Sequence, residues 1–139
     1  IVDVEGGIIR HPSMTKDSLA MVICHEVGHH FGGAPKYHPM ISLWASVEGQ
    51  SDYFASSKCF KKVFIEDDNT EIIREMNIPQ SVTTQCETAF LNANEIALCQ
   101  RSAMASKIVV ELLRSLRSDT RTIAFNTPDS SIINETSMG

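Results

Sequence analysis

The feature that most constrains the fold of this chain is a mostly apolar stretch from Leu19 to Phe31. Thr15 is a favourable N-cap residue before it, and Asp17 suits the first turn of a helix. The glycines Gly32 and Gly33 follow the stretch and are typical of a helix C-terminus. Because the stretch is apolar on nearly all sides, the sequence predicts a helix that is deeply buried.

This predicted helix carries His25, Glu26 and His29, which form an H-E-x-x-H pattern. Residues four apart lie on one helix face with Cβ atoms roughly 5–6 Å apart, so the two imidazoles can bind one metal ion. Glu26 lies about 100° round the helix from His25 and borders the ion without ligating it. Its carboxylate can take a proton from water activated by the ion and pass it to a leaving amine. A metal is the simplest compensation for burying such polar groups.

The third metal ligand predicted by the sequence is Glu48, which follows His29 at the start of the next predicted helix. A catalytic zinc ion needs three protein ligands and one open position. Asp52 lies one turn after Glu48, and metal-bound histidines usually donate their second N–H to a carboxylate. We therefore expect Zn²⁺ to be held by His25, His29 and Glu48, with Asp52 orienting His25.

The pattern His25-Glu26-x-x-His29 followed by Glu48-x-x-x-Asp52 resembles the gluzincin clan of zinc metallopeptidases, whose architecture is thermolysin-like. The string CHEVGHHFGGAPK…VEGQSDYFASSKC looks closer to uncharacterised bacterial gluzincin-like proteins. The resemblance implies a zinc-dependent peptidase that hydrolyses peptide bonds in a peptide or protein substrate. It covers residues 15 to 60 and implies two helices facing each other across the metal.

The same resemblance implies that residues 1 to 11 form the edge strand that pairs with the substrate backbone in this clan. Clan members normally have at least three strands before the first helix, whereas one is visible in this sequence. The chain is therefore interpreted as a single zincin-like domain over residues 1–139 that lacks N-terminal strands.

The predicted fold class is α+β and mostly helical, with the metal-binding helix packed on a partly missing sheet and a helical C-terminal part. Before and after that helix, the sequence predicts an extended segment or short hairpin over residues 1–10 and a second helix from about Ser46 to Phe64. A short helix from Glu71 to Met76 and a long amphipathic helix from a Thr84–Glu87 capping box to Leu116 follow. The last twenty or so residues hold at most one short strand, near Ile123 to Phe125.

The cysteines are Cys24, Cys59, Cys86 and Cys99, and none are spaced as C-x-x-C. Two interpretations are open, namely disulfides formed in an oxidising compartment or small buried residues in helices. The disulfide interpretation favours one bond among Cys59, Cys86 and Cys99, with Cys24 as a free buried thiol. It also favours a periplasmic or secreted location.

The composition narrows the classes of partner. The chain has 139 residues, 42% of them hydrophobic, and a formal net charge of −5, which suits one globular domain. The basic residues form no cluster beyond Lys61 and Lys62, which argues against a nucleic-acid surface. No apolar run is long enough to span a membrane. The oligomeric state is left open by the sequence.

The sequence offers further candidate residues without fixing their positions. Tyr37, His38 and Tyr53 could stabilise the oxyanion of a tetrahedral intermediate, which requires a donor near the metal. Arg101 lies in an otherwise apolar helix. This position predicts a structural ion pair between Arg101 and a buried carboxylate, or a contact with a substrate carbonyl.

The alternative hypothesis is a non-catalytic module in which zinc joins the two helices of a scaffold or binding domain. Structural zinc sites are normally closed by four protein ligands and are commonly rich in cysteine. Cys24 points away from the face that carries both histidines and is a poor fourth ligand. Glu26 would also have no purpose in such a module, so the peptidase is the favoured hypothesis.

Overall fold

In the computed structural model, the described residues are 2, 4, 6–36, 44–119 and 123–125. Most of them are helical, as the sequence predicted. The elements are α1 (Gly6–Ile9), α2 (Lys16–Phe31), α3 (Glu48–Phe54), a π-helical segment (Ala55–Cys59), α4 (Phe60–Phe64), α5 (Asn69–Ile72), a 3-10 turn (Ile73–Glu75), α6 (Gln80–Ala89) and α7 (Ala93–Leu116). Within these described ranges the structure has no β-strand, and Lys36 and Ser46 form an isolated antiparallel bridge.

The helix α2 begins where the sequence predicted, at the N-cap Thr15. The backbone N–H of Ser18 donates to Thr15 Oγ1 at 3.1 Å, and the backbone N–H of Thr15 donates to Ser18 Oγ at 2.7 Å. This reciprocal capping box satisfies two backbone donors that a helix start leaves unpaired. After the helix ends, Gly33 adopts a φ of +86°, which favours glycine.

The core forms where α2, the segment from α3 to α4, and α7 meet. Its largest fully buried side chain is Phe60, which packs against Phe64 with the ring centroids 4.7 Å apart. The other buried members of this cluster are Met21, Cys24, Ala55, Leu98 and Ala105. Burial of a Phe, Met or Leu side chain contributes roughly 1.5–3 kcal/mol to the stability of the fold, so the cluster fixes α2 against α7.

A buried ion pair adds a second connection between α2 and α7. Arg101 is 2% exposed and donates through Nε and Nη2 to the two carboxylate oxygens of Asp17, both at 2.7 Å. Its Nη1 donates to Asp67 at 2.8 Å and to the side-chain oxygen of Asn69 at 2.9 Å. The structural ion pair predicted for Arg101 is confirmed.

Two disulfides connect the described helices, Cys24–Cys59 and Cys86–Cys99. The second agrees with the predicted disulfide among Cys59, Cys86 and Cys99. The prediction that Cys24 is a free thiol was wrong, because Cys24 faces the π-helical segment and bonds to Cys59 there. The position of a cysteine in a helix indicates from sequence whether it is buried, but it does not indicate which distant residue the cysteine contacts. Disulfides are typical of oxidising compartments.

The prediction of a strand over residues 1–10 was wrong where the structure describes them. Gly6–Ile9 form one helical turn, and the backbone N–H of Arg10 donates to Gly6 O at 3.3 Å. The β-branched residues suggested a strand, but β-propensity depends on a neighbouring strand to pair with. The described part of the chain offers none.

Two boundaries in the C-terminal half also differ from prediction. Thr84 lies inside α6, so it does not start the long helix; α7 starts instead at the N-cap Asn92, whose side chain accepts from two backbone N–H groups. Phe90 is extended, which separates α6 from α7. The predicted strand at Ile123 to Phe125 is not formed. Among the helices described, none combines the length and apolar character needed to cross a bilayer.

Candidate metal centre

The candidate centre lies where α2 and α3 come into close contact. Gly28 faces Ser51, and a Cβ atom at Gly28 would lie 2.8 Å from both the Cα and the carbonyl oxygen of Ser51. The backbone N–H of Ser46 also donates to the carbonyl of His29 at 2.8 Å. These contacts set the start of α3 directly beside the C-terminal half of α2.

Three predicted ligands converge at this contact. His25 Nε2 lies 3.2 Å from His29 Nε2, and Glu48 Oε2 lies 3.1 Å from His25 Nε2 and 3.6 Å from His29 Nε2. Two ligand atoms bound to one zinc ion at tetrahedral angles would be about 3.3 Å apart, given bond lengths of about 2.0–2.1 Å. The three residues therefore form a group that could hold a metal ion.

The outer nitrogens of both rings are held by hydrogen-bond acceptors. His25 Nδ1 lies 2.7 Å from Asp52 Oδ1, and His29 Nδ1 lies 2.8 Å from the carbonyl oxygen of Ser46. Since a carboxylate and a carbonyl only accept, each Nδ1 carries the hydrogen. In the neutral rings, both Nε2 atoms are then lone-pair acceptors, and they face each other and the Glu48 carboxylate. Either a proton on one Nε2 or a cation between the three side chains would offset this convergence of acceptors, and two imidazoles with a carboxylate are ligand types that zinc binds.

The electrostatics of the centre favour positive charge. The hydrogen bond from His25 to Asp52 is the main cause that raises the pKa of His25 above its ordinary value. Partial burial opposes this effect, and the charges of Asp52, Glu48 and Glu26 reinforce it. The same field attracts a divalent ion.

Glu26 lies in the wall of a cleft of about 470 Å³ that opens beside the centre, together with His25, Glu48 and Asp52. The cleft is bounded by α2, α3, the π-helical segment and α7. The apolar lining of the cleft includes Val109, Val110 and Leu113 from α7, and Met21 and Val22 from α2. A carboxylate at the edge of a mostly apolar cleft is placed where a bound molecule would meet it.

Of the three predicted oxyanion stabilisers, Tyr53 is the one that lies within the described residues. Tyr53 is 58% exposed and is not among the residues that line the cleft. It follows Asp52 by one position and therefore lies about 100° round α3 from it. The role predicted for Tyr53 stays a prediction. Tyr37 and His38 lie outside the described residues.

Three residues that shape the centre were not predicted from the sequence. Gly28 permits the close contact of α2 and α3, Ser46 supplies the carbonyl that fixes the His29 ring, and Ser51 Oγ lies 3.0 Å from His29 Nδ1. Ser46 and Ser51 are fully buried. Gly28, between Glu26 and His29, indicated close packing and could have been recognised in the sequence. A backbone carbonyl acceptor cannot be recognised there, because every residue type has one.

A scan against protein-family models found no match to this chain, and searches among curated proteins and solved structures found none either. The functional interpretation therefore depends on the residues and geometry of the centre.

Proposed function

We propose that this chain is a zinc-dependent peptidase of gluzincin type, in which His25, His29 and Glu48 bind Zn²⁺ and Glu26 is the general base. One observation carries the proposal: three acceptor atoms converge within 3.1–3.6 Å of one another while both outer ring nitrogens are held by acceptors. Three protein ligands are the number that a catalytic zinc site uses.

The proposed roles follow from the chemistry of each side chain. Zinc, when bound, supplies Lewis-acid chemistry that polarises a peptide carbonyl and lowers the pKa of water. Glu26 accepts the proton of the attacking water and later gives it to the leaving amine nitrogen as the C–N bond breaks. Asp52 and Ser46 hold the two imidazoles in the tautomer that leaves Nε2 available to a metal.

The proposed substrate is a peptide or protein, and the proposed location is periplasmic or secreted. The cleft beside Glu26 is open and mostly apolar, which suits a polypeptide better than a small charged molecule. The disulfides Cys24–Cys59 and Cys86–Cys99 suit an oxidising compartment.

The alternative, a scaffold stabilised by zinc, is less well supported. The Cys24–Cys59 disulfide already joins α2 to the segment that follows α3, so a metal is not needed for that purpose. Within the described residues, the candidate group has three ligands and contains no cysteine, unlike most structural zinc sites.

The decisive experiment compares the full chain with its Glu26→Gln variant. Both are prepared without chelator, and zinc content by elemental analysis and cleavage of a quenched peptide library are measured. We expect one zinc per chain in both proteins and a loss of cleavage of at least a hundredfold in the variant, since general-base catalysis contributes about 10²–10⁴-fold. Glu87→Gln on the exposed face of α6 is the matched control and should cleave normally.

Equal cleavage by the Glu26→Gln variant would remove Glu26 as the base. Absence of both zinc and cleavage in the wild-type chain would overturn the proposal. Zinc without any cleavage would instead favour the scaffold.

A further inference from the structure

A second cavity lies next to the cleft that contains Glu26. It has a volume of about 320 Å³ and is bounded by the π-helical segment, α4, α7 and the residue that separates α6 from α7. Its walls include Phe60, Phe90, Leu98 and Ala103. The cavity is within the size range of ligand pockets in proteins, and none of the proposed roles at the metal centre uses it.

The two cavities meet at Ser56 and Ser106, because both residues line both cavities. Ser56 belongs to the π-helical segment and Ser106 to α7, so both elements form the boundary between the two cavities. We refer to the two adjoining cavities together as the groove. One end of this groove holds His25 and Glu26, and the other end reaches Phe90.

The two serine hydroxyls have a defined hydrogen-bonding character. Ser106 Oγ donates to the carbonyl of Ser102 at 3.0 Å, and Ser56 Oγ donates to the carbonyl of Asp52 at 2.8 Å. A hydroxyl has one hydrogen, so each oxygen offers the groove only its lone pairs. The complementary group on a bound chain is a donor, and a peptide backbone supplies N–H donors at regular intervals.

Among the residues that the structure describes, the end of the groove near Phe90 carries no unbalanced charge that would favour a charged ligand. Lys61 Nζ lies 2.5 Å from Glu95 Oε1, so the two charges there offset each other. Lys61 Nζ also lies 5.2 Å from the centroid of the Phe90 ring. The remaining wall is largely apolar, and it suits a bulky apolar side chain.

We infer that the groove binds an extended polypeptide that places one bulky apolar side chain in each cavity and its backbone N–H groups at Ser56 and Ser106. In an extended chain, residues two apart point to the same side and are about 6.5–7 Å apart, as strand geometry requires. The inference rests on the proposed peptidase function and names its substrate class: polypeptides with two bulky apolar residues two positions apart.

The test uses the zinc-loaded full chain and a pair of quenched peptides. Both contain Phe at one position, and they differ two positions away, where one has Phe and the other Ala. Ala103→Phe fills the second cavity alone, and Ser115→Phe is the control, since Ser115 is exposed on α7 and lines neither cavity. We expect the wild-type chain and the Ser115→Phe variant to cleave the two-Phe peptide with a kcat/KM about tenfold higher or more. The Ala103→Phe variant should lose this preference.

An equal kcat/KM for both peptides in the wild-type chain would overturn the inference and leave the peptidase proposal standing. An undiminished preference in the Ala103→Phe variant would also overturn it. Circular dichroism checks the folding of this variant, and Ala103→Leu replaces it if the phenylalanine is not accommodated.

Failure to cleave either peptide would count against the peptidase proposal. Peptide binding in the groove is then tested without cleavage. The two peptides carry a fluorescent label, and their affinity is measured by anisotropy. Tighter binding of the two-Phe peptide to the wild-type chain, lost in the Ala103→Phe variant, would support the groove. Equal binding of both peptides would overturn it.

Discussion

At the scale of single residues, the side chains of the centre differ in their exposure to solvent. His25 and His29 are half-buried, whereas the side chains of Glu48 and Asp52 are 61% and 72% exposed. An exposed carboxylate is screened by water, so its interactions are weaker than those of a buried one. The contribution of Asp52 should therefore lie at the low end of what such orienting carboxylates contribute.

The first prediction is that Asp52→Asn lowers zinc affinity by about tenfold, the low end of the 10–100-fold range for partners of metal ligands. The asparagine oxygen or nitrogen still contacts His25, but the negative charge that favours its Nδ1–H is gone. Competition with a chromogenic chelator measures the affinity. Asp68→Asn is the control, since an asparagine oxygen can still cap α5 by accepting from the backbone N–H of Glu71. An unchanged affinity in Asp52→Asn would contradict the role given to Asp52.

The second prediction concerns the metal-free chain. The pKa of His25 is raised, chiefly by its hydrogen bond to Asp52. A raised folded-state pKa contributes stability below the unfolded value of about 6.5, and this contribution is lost as the pH rises through the folded pKa. Because Asp52→Asn removes the carboxylate that raises this pKa, an NMR titration of protein freed of metal by a chelator should give a lower His25 pKa in the variant than in the wild-type chain. The same or a higher pKa in the variant would show that another group raises it.

At the scale of helices, the spacing between α2 and α3 decides whether the ligands can share one ion. Gly28 and Ser51 set this spacing, because the Ser51 backbone occupies the place that a side chain at Gly28 would need. Backbone atoms cannot move aside as a flexible side chain can, so α3 would have to shift as a whole. Glu48 and Asp52 would shift with it.

The third prediction is that Gly28→Ala destabilises the fold by about 1–3 kcal/mol, the usual range for overpacking, and weakens zinc binding as well. Urea unfolding and zinc titration measure the two effects. Gly49→Ala is a matched control on α3, since a Cβ atom there meets nothing within 4 Å. It should be neutral or should stabilise the helix by up to about 1 kcal/mol. Equal behaviour of the two variants would mean that α3 tolerates displacement.

The helices also show what could be predicted from the sequence. The start of α2 and the H-E-x-x-H face were readable because capping and a 3.6-residue period are local signals. The position of Glu48 beside the histidines was predicted through the ligand number of zinc and the family resemblance. The Cys24–Cys59 disulfide was missed because it depends on which elements meet across 35 residues of sequence. The break between α6 and α7 at Phe90 lacked the glycine or proline that usually marks one.

At the scale of the whole molecule, α2 and α7 are joined by the core around Phe60 and by the ion pair of Arg101. Arg101 contacts Asp17 on α2 and Asp67 in the turn before α5, and its guanidinium carbon lies 4.0 Å from the centroid of the Phe64 ring. A single side chain thus connects three parts of the chain that are distant in sequence. Removing it would leave Asp17, whose side chain is 14% exposed, without its counter-charge, whereas water reaches Asp67, which is 38% exposed.

The fourth prediction is that Arg101→Met destabilises the chain by about 3–5 kcal/mol, as expected when one partner of a buried pair is removed. Arg74→Met is the control, since the side chains of Arg74 and Glu71 are 71% and 61% exposed and such pairs contribute little. Thermal and urea unfolding of both variants measure the difference. A loss below about 1 kcal/mol in Arg101→Met would mean that solvent reaches Asp17 and Asp67 after the substitution.

The covalent bond from Cys24 to Cys59 has a consequence for how the protein would bind and release the proposed ion. Small zinc domains commonly unfold when a chelator strips them, because the ion is their main cross-link. Here the sulfur bridge starts one residue before His25 and keeps the ligand-bearing helices as neighbours without help from the ion. The chain should therefore survive demetallation as a folded apoprotein, and zinc, cobalt or another divalent ion could be exchanged into it reversibly.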